Sequence, residues 1–143
     1  MEEEKNYAFF RFEDLRIYHK ALDYAIWVKK TTNQFPENEL RCLTCHFIKS
    51  AQSIAINIAE GSGRSKGKFI YSLKTAKSSI RECVVLTTLA RQLDYIDETT
   101  ENYSRNELIE MTKMMGALIT SLQKGSKNTE HEESRSDEFD DFN

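Results

Sequence analysis

Cysteine, histidine and the spacing between them raise the first chemical question about this chain. Residues 42–46 read Cys42-Leu43-Thr44-Cys45-His46, the C-x-x-C-H arrangement that carries covalently attached haem. With a third thiol, Cys83, the same group could supply a tetrahedral zinc site of three cysteines and a histidine, provided Cys83 arrives from another helix. Both chemistries require the side chains to converge on one accessible face. The element that carries them decides whether they do.

At 100° per residue, Leu40, Leu43, Phe47, Ala51, Ile54 and Ile58 fall within an arc of about 80°, a core-facing stripe of an amphipathic helix. His46 then lies about 100° from the stripe centre, Cys42 further round, and Cys45 points nearly backwards. The three chemical groups diverge, so neither haem nor zinc is expected, and no cofactor is. A polar stripe runs beside the apolar one: His46, Ser50, Ser53, Asn57 and Glu60 recur at 4-3-4-3 spacing. Polar groups at a helix interface are costly unless hydrogen-bonded. They are therefore expected to bond one another or a facing helix, with Ser53, Asn57 and Glu60 holding this helix to its neighbours. Asn57 and Glu60 are also candidates, with Arg64, to face a ligand.

The chain contains four helical segments by apolar periodicity. The first starts near Asp14, a plausible N-cap, and carries Leu15, Tyr18, Leu22, Ala25 and Ile26 at helical spacing. Pro36 marks a new start, and the second segment is predicted over about 37–60. Gly61 and Gly63 are expected to permit the reversal that follows. The third, about 66–95, has one stripe of Phe69, Leu73, Ala76, Ile80, Val84, Thr87 and Ala90 and another of Leu86, Leu89 and Leu93, which implies two neighbours. In the fourth, about 98–124, Leu108, Met111, Met115, Leu118 and Leu122 follow the 3-4 order of antiparallel packing. Short connections make successive helices antiparallel. The predicted fold is all-α: residues 1–11 an arm, 12–124 an up-down-up-down four-helix bundle, 125–143 a tail.

One proline and five glycines in 143 residues suit long helices with few turns. No apolar run reaches the roughly 18 residues a bilayer span needs, and the start, MEEEKNYAFF, is acidic where a secretory signal is basic and then apolar. A cytoplasmic location without membrane association is expected, with reduced thiols. Net charge is −3, unevenly spread. Residues 125–143 hold seven acids against Lys127 and Arg135, net −5, so the preceding 124 residues carry +2. That tail lacks periodicity and reads as disordered.

Between Arg64 and Arg91 lie seven basic residues and one acid, Glu82. Lys74, Lys77 and Arg81 share one helix face, with Arg64, Lys66 and Lys68 at its entrance. Such a stripe can neutralise phosphates, so these six are the candidate nucleic-acid contacts. The acidic tail could fold back on them as an internal competitor. Catalysis has little support: His19 and His46 sit on different helices, GSGRSKGK at 61–68 lacks phosphate-loop spacing, no serine elbow is present, and the Glu-x-x-His pairs of di-iron bundles are missing.

FEDLRIYHKA, FPENE, SIAINIAEGSGRS and KFIYSLKTAKSSIRE, in that order, resemble the motifs of the four-helix-bundle proteins named after the 23S rRNA intervening sequence, sometimes labelled ribosomal proteins. The resemblance spans about residues 9–124 and is most specific from Asn57 to Arg64. Cys45-His46 stands where that pattern usually has a small residue and glutamine, and Phe47-Ile48-Lys49-Ser50 where arginines are usual. A typical Gly-Ser pair is replaced by Ser78-Ser79, while Glu82 keeps an expected acid. The resemblance implies a non-enzymatic bundle that assembles as a homopentamer. It also implies association with rRNA or another nucleic acid, because a similar accessory protein of retroelements binds nucleic acid and a reverse transcriptase. The competing expectation is a protein-interaction adaptor that presents Ile17, Trp27 and other off-core apolar residues to a protein partner.

Overall fold

A computed structural model describes residues 9–129. Within them the chain forms a one-turn 3-10 helix at Arg11–Asp14, α1 at Arg16–Thr32, a second 3-10 turn at Glu37–Glu39, α2 at Leu43–Ser62, α3 at Lys66–Gln92 and α4 at Glu98–Thr129. Strands are absent among the described residues, and no helix of theirs is long and apolar enough to cross a membrane. The acidic segment from Glu130 onward lies outside the described residues, and with it the competitor reading of the tail. α4 continues five residues past the predicted end at Lys124.

Contacts between helices fix their directions. Ser50 and Ser53 on α2 meet Glu82 and Ser79 on α3, so as one number rises the other falls. Thr87 bonds Ser104, and Lys66 lies against Gly125, giving α3 and α4 the same opposed register. Tyr24 bonds Ser104 and Lys20 bonds Glu107, which does so for α1 and α4. Each helix therefore runs antiparallel to the next, and α1 closes the bundle against α4. The core contains Ala21, Tyr24, Val28, Phe47, Ile54, Ile58, Leu73, Ile80, Cys83, Leu108, Met111 and Met115, each at most 2% exposed. Their removal from water is the main source of stability.

The register also shows that α1 is short. Arg16, its first residue, stands level with about residue 112 of α4, so roughly 17 residues of α4, about 25 Å, run on beyond it. At that end α2, α3 and α4 form a three-helix section, and the 3-10 turn at Arg11–Asp14 packs on α2 and α1. Phe69, Ile70, Met114, Leu118 and Leu122 are only partly buried in consequence.

Several boundaries depart from the periodicity. Asp14 ends the 3-10 turn instead of capping α1; the N-cap is Leu15, which supplies no side-chain bond. His19 Nε2 donates back to the Glu13 carbonyl at 2.6 Å and braces this start. The second helix begins at Leu43, not at Glu37, because 3-10 geometry occupies Glu37–Glu39. Leu40 therefore leaves the core stripe and is 62% exposed. Ile17, expected off the core, is buried, and Trp27 stacks on Tyr24 and contacts Tyr103.

Gly61 does not make the turn expected of it. It lies inside α2, and neither it nor Gly63 has positive φ. A Cβ at Gly61 would collide with Ser72 Cβ and stand 2.8 Å from Ser72 Oγ. Its value is the close crossing of α2 over α3. The reversal occurs at Gly63, the C-cap, where Arg64 N–H donates to the Gly61 carbonyl at 3.0 Å. Ser65 then caps α3 by accepting from Lys68 N–H.

α3 stops at Gln92, earlier than Tyr95, through paired C-terminal bonds: Tyr95 N–H to Ala90 O at 2.8 Å and Asp94 N–H to Arg91 O at 3.0 Å. This double closure needs a left-handed residue, usually glycine; here Asp94 takes it, with φ 65°. Asp97 then accepts from Thr100 N–H at 2.8 Å and starts α4.

Candidate nucleic-acid interface

The basic stripe is set by α3. Taking 100° per residue, Lys74, Lys77 and Arg81 fall within about 60° of one another, on the flank facing α4 and solvent. Arg81 is exposed, and Lys74 and Lys77 are half-buried. The α3–α4 register puts Ala117 level with Lys74 and Met114 level with Lys77. Gly116, Ala117, Thr120, Ser121 and Lys124 line a shallow recess on α4, on the side of that helix turned away from Leu108, Met111 and Met115 and so apart from the α3 cations. Lys66 joins this flank by lying against Gly125. Arg64 is exposed in the turn at the same end. Lys68, also exposed, stands about 140° round α3 from Arg81, on the α2 side, so the structure separates it from the other five.

Of the remaining charges in the segment, Arg91 is drawn away. Its Nε lies 3.4 Å from Glu101 Oε1, close enough for charge attraction, yet without hydrogen-bond alignment. Glu82 accepts from Ser50 Oγ at 2.7 Å, which ties the one acid of the segment to α2.

The predicted polar stripe divides. Ser50, buried, reaches Glu82, and Ser53 bonds Ser79 at 2.9 Å. Asn57 Nδ2 donates to the Ser53 carbonyl at 2.9 Å and to Ser53 Oγ at 3.0 Å, within its own helix. His46 and Glu60 are exposed. The middle of the stripe thus fixes α2 against α3, and its two ends face solvent.

Two polar clusters escape a periodicity reading. Tyr24 Oη meets Ser104 Oγ at 2.7 Å, Ser104 Oγ meets Thr87 Oγ1 at 2.8 Å, and Thr87 donates to the Cys83 carbonyl at 2.8 Å. Burial, above all, raises the Tyr24 phenol well above its ordinary value and pushes the Cys83 thiol up to about 12. These groups stay neutral and link α1, α3 and α4 inside the core. Ser104 continues the 3-4 seam one step before Leu108, a small polar residue where an apolar one is usual, and that was the available signal. In the second cluster Glu39 accepts from Leu43 N–H at 3.3 Å and from Tyr95 Oη–H at 2.7 Å, joining the start of α2 to the α3–α4 connection. Nothing in local spacing pairs positions 39 and 95.

The pieces define an antiparallel four-helix bundle with a one-sided cationic flank and, among the described residues, no cluster of side chains able to hold a metal ion. Residues 13–117 match the family model of the 23S rRNA-intervening sequence protein, and the chain belongs to that family. Its fold is similar to the crystal structure of a protein with unknown function from the S23 ribosomal protein family of Bacteroides thetaiotaomicron. The two are 22% identical, with a TM-score of 0.67 over 73% of this chain and 95% of that one. No curated protein matches.

Proposed function

We propose that this protein is a non-catalytic, self-assembling helical scaffold that binds RNA or DNA through phosphate contacts along α3, with rRNA the leading partner. The observation that carries the reading is the grouping of Lys74, Lys77 and Arg81 on one flank of α3, joined by Lys66 and Arg64 at the N-terminal end of that helix. The family's name associates it with rRNA genes, and that supports the choice of partner. Cations on a rigid helix hold phosphates at fixed spacing and release counterions as they do so, which makes affinity fall steeply with salt. Copies assembled side by side would add their fields.

Replacing Lys74, Lys77 and Arg81 together by glutamine tests this. Binding to a labelled RNA at low salt should be lost, and any residual log–log salt slope should be shallower by about 3, with the helical circular dichroism retained. Affinity unchanged by the triple substitution would reject the reading.

A second reading has its own observation. Ile56 on α2 and Tyr71, Val85 and Leu89 on α3 leave 44–73% of their surface exposed on the outer face of the α2–α3 pair. Such a patch suits contact with protein. It supports self-assembly, for which the family resemblance implies five subunits, or an adaptor role with another protein and no nucleic acid. Apolar association would hold or strengthen as salt rises, the opposite of phosphate binding.

A further inference from the structure

The Cys42/Cys45 pair is not used by any of this, and its setting differs from that of Cys83. Cys42 is the exposed N-cap of α2, and Cys45, half-buried, sits in the first turn. The Cys42 carbonyl accepts the first bond of α2, from His46 N–H at 2.9 Å, which holds the two cysteines one turn apart, a spacing a disulfide can bridge. Both line an open groove of about 640 Å³ between α2 and the end of α3, with His46 and Lys49 on one side and Leu89 and Leu93 on the other, so the non-helical backbone at Cys42 lets three groups that helical spacing spreads apart share one recess. Its size is that of small-molecule sites. Glu39, the acid of the groove, is engaged by Leu43 N–H and Tyr95 Oη–H. The start of α2 is thus capped by a carboxylate, and neither thiol is needed to hold it.

We propose that Cys42 and Cys45 form a thiol–disulfide exchange site that accepts small-molecule disulfides in this groove. The exposed Cys42 thiolate attacks one sulfur of a disulfide RSSR, forming a mixed disulfide and expelling one RS⁻, which takes up the proton that Cys42 lost. The Cys45 thiolate then attacks Cys42 Sγ, closing the Cys42–Cys45 bond and expelling the second thiol. The protein loses two protons and two electrons, and RSSR becomes two RSH. Closure is intramolecular, so a nearby Cys45 outcompetes a second molecule from solution. Cys83, with no exposed surface and its thiol held protonated, stays out of the exchange.

The test uses the full chain and oxidised glutathione under native conditions, followed by acid quench, intact mass and peptide mapping. The expected product is lighter by two hydrogens, links the peptides carrying Cys42 and Cys45, leaves Cys83 free, and reverts completely with reduced glutathione. In Cys45→Ser one glutathione should remain on Cys42, because the resolving thiol is gone; in Cys42→Ser adduct formation should slow severalfold. Stable adducts on both cysteines of the unaltered chain, a bridge to Cys83, or a disulfide between two chains would each overturn the proposal.

Discussion

Gly61 is the residue whose role changes most between sequence and structure. A glycine after a long apolar run reads as a stop, but the structure uses its missing Cβ instead, letting Ser72 and Phe69 of α3 pack where a methyl group would stand. Gly61→Ala should therefore destabilise the bundle by about 1–3 kcal/mol, read by urea unfolding. Gly63→Ala should change stability far less, since nothing lies within 4 Å of a Cβ there. The two glycines look alike in GSGR; the tertiary neighbour distinguishes them, and spacing holds no record of it. The same limit applies to Tyr24, Ser104 and Thr87, whose bonds connect residues 80 and 17 positions apart. Lys74, Lys77 and Arg81 were legible as one face because a single helix carries them. Lys68 was not legible as the exception until the neighbours of α3 were known.

At the scale of elements, the four helices follow from apolar periodicity, and their boundaries do not. The caps come from local chemistry that periodicity ignores: a 3-10 turn before α1, another before α2, and a left-handed Asp94 after α3. Asp97 illustrates what such a cap does to pH response. Its carboxyl is held below the ordinary range first by the Thr100 backbone N–H, then by the Thr100 side chain and Arg91. A depressed folded value stabilises the protein above the unfolded value, near pH 4, and the benefit is lost as pH falls through the folded one. Glu110, depressed by its bond to Lys20, acts in the same window and direction. Thermal midpoints should fall on acidification below about pH 4, and Asp97→Asn, which keeps an acceptor without the titration, should flatten part of that fall. An identical acid limb in the variant would remove Asp97 from the account.

Across the whole molecule, two surfaces have opposite character: a cationic flank between α3 and α4, and an apolar face over α2 and α3. They adjoin along α3, where Val85 stands one turn beyond Arg81 and Tyr71 one turn before Lys74, so a change to the apolar face is read first through subunit mass. Val85→Glu with Leu89→Glu should shift light scattering toward monomer while leaving the circular dichroism helical; an unchanged mass would place the subunit contact elsewhere. The fold class and the family were readable from the sequence because both rest on helix faces and contiguous motifs. Which outer apolar residues are left uncovered was not, since that depends on how far each helix extends beside its neighbours.

The short first helix gives the protein two mechanically distinct halves. One is tied crosswise by the Tyr24–Ser104–Thr87 chain and by Lys20 gripping α4. The other lacks a full fourth wall and carries Arg64, Lys66 and Lys68 at its rim. Local opening costs least where fewest neighbours hold a segment. The end that carries these cations is thus the compliant one, set on a stiffer base.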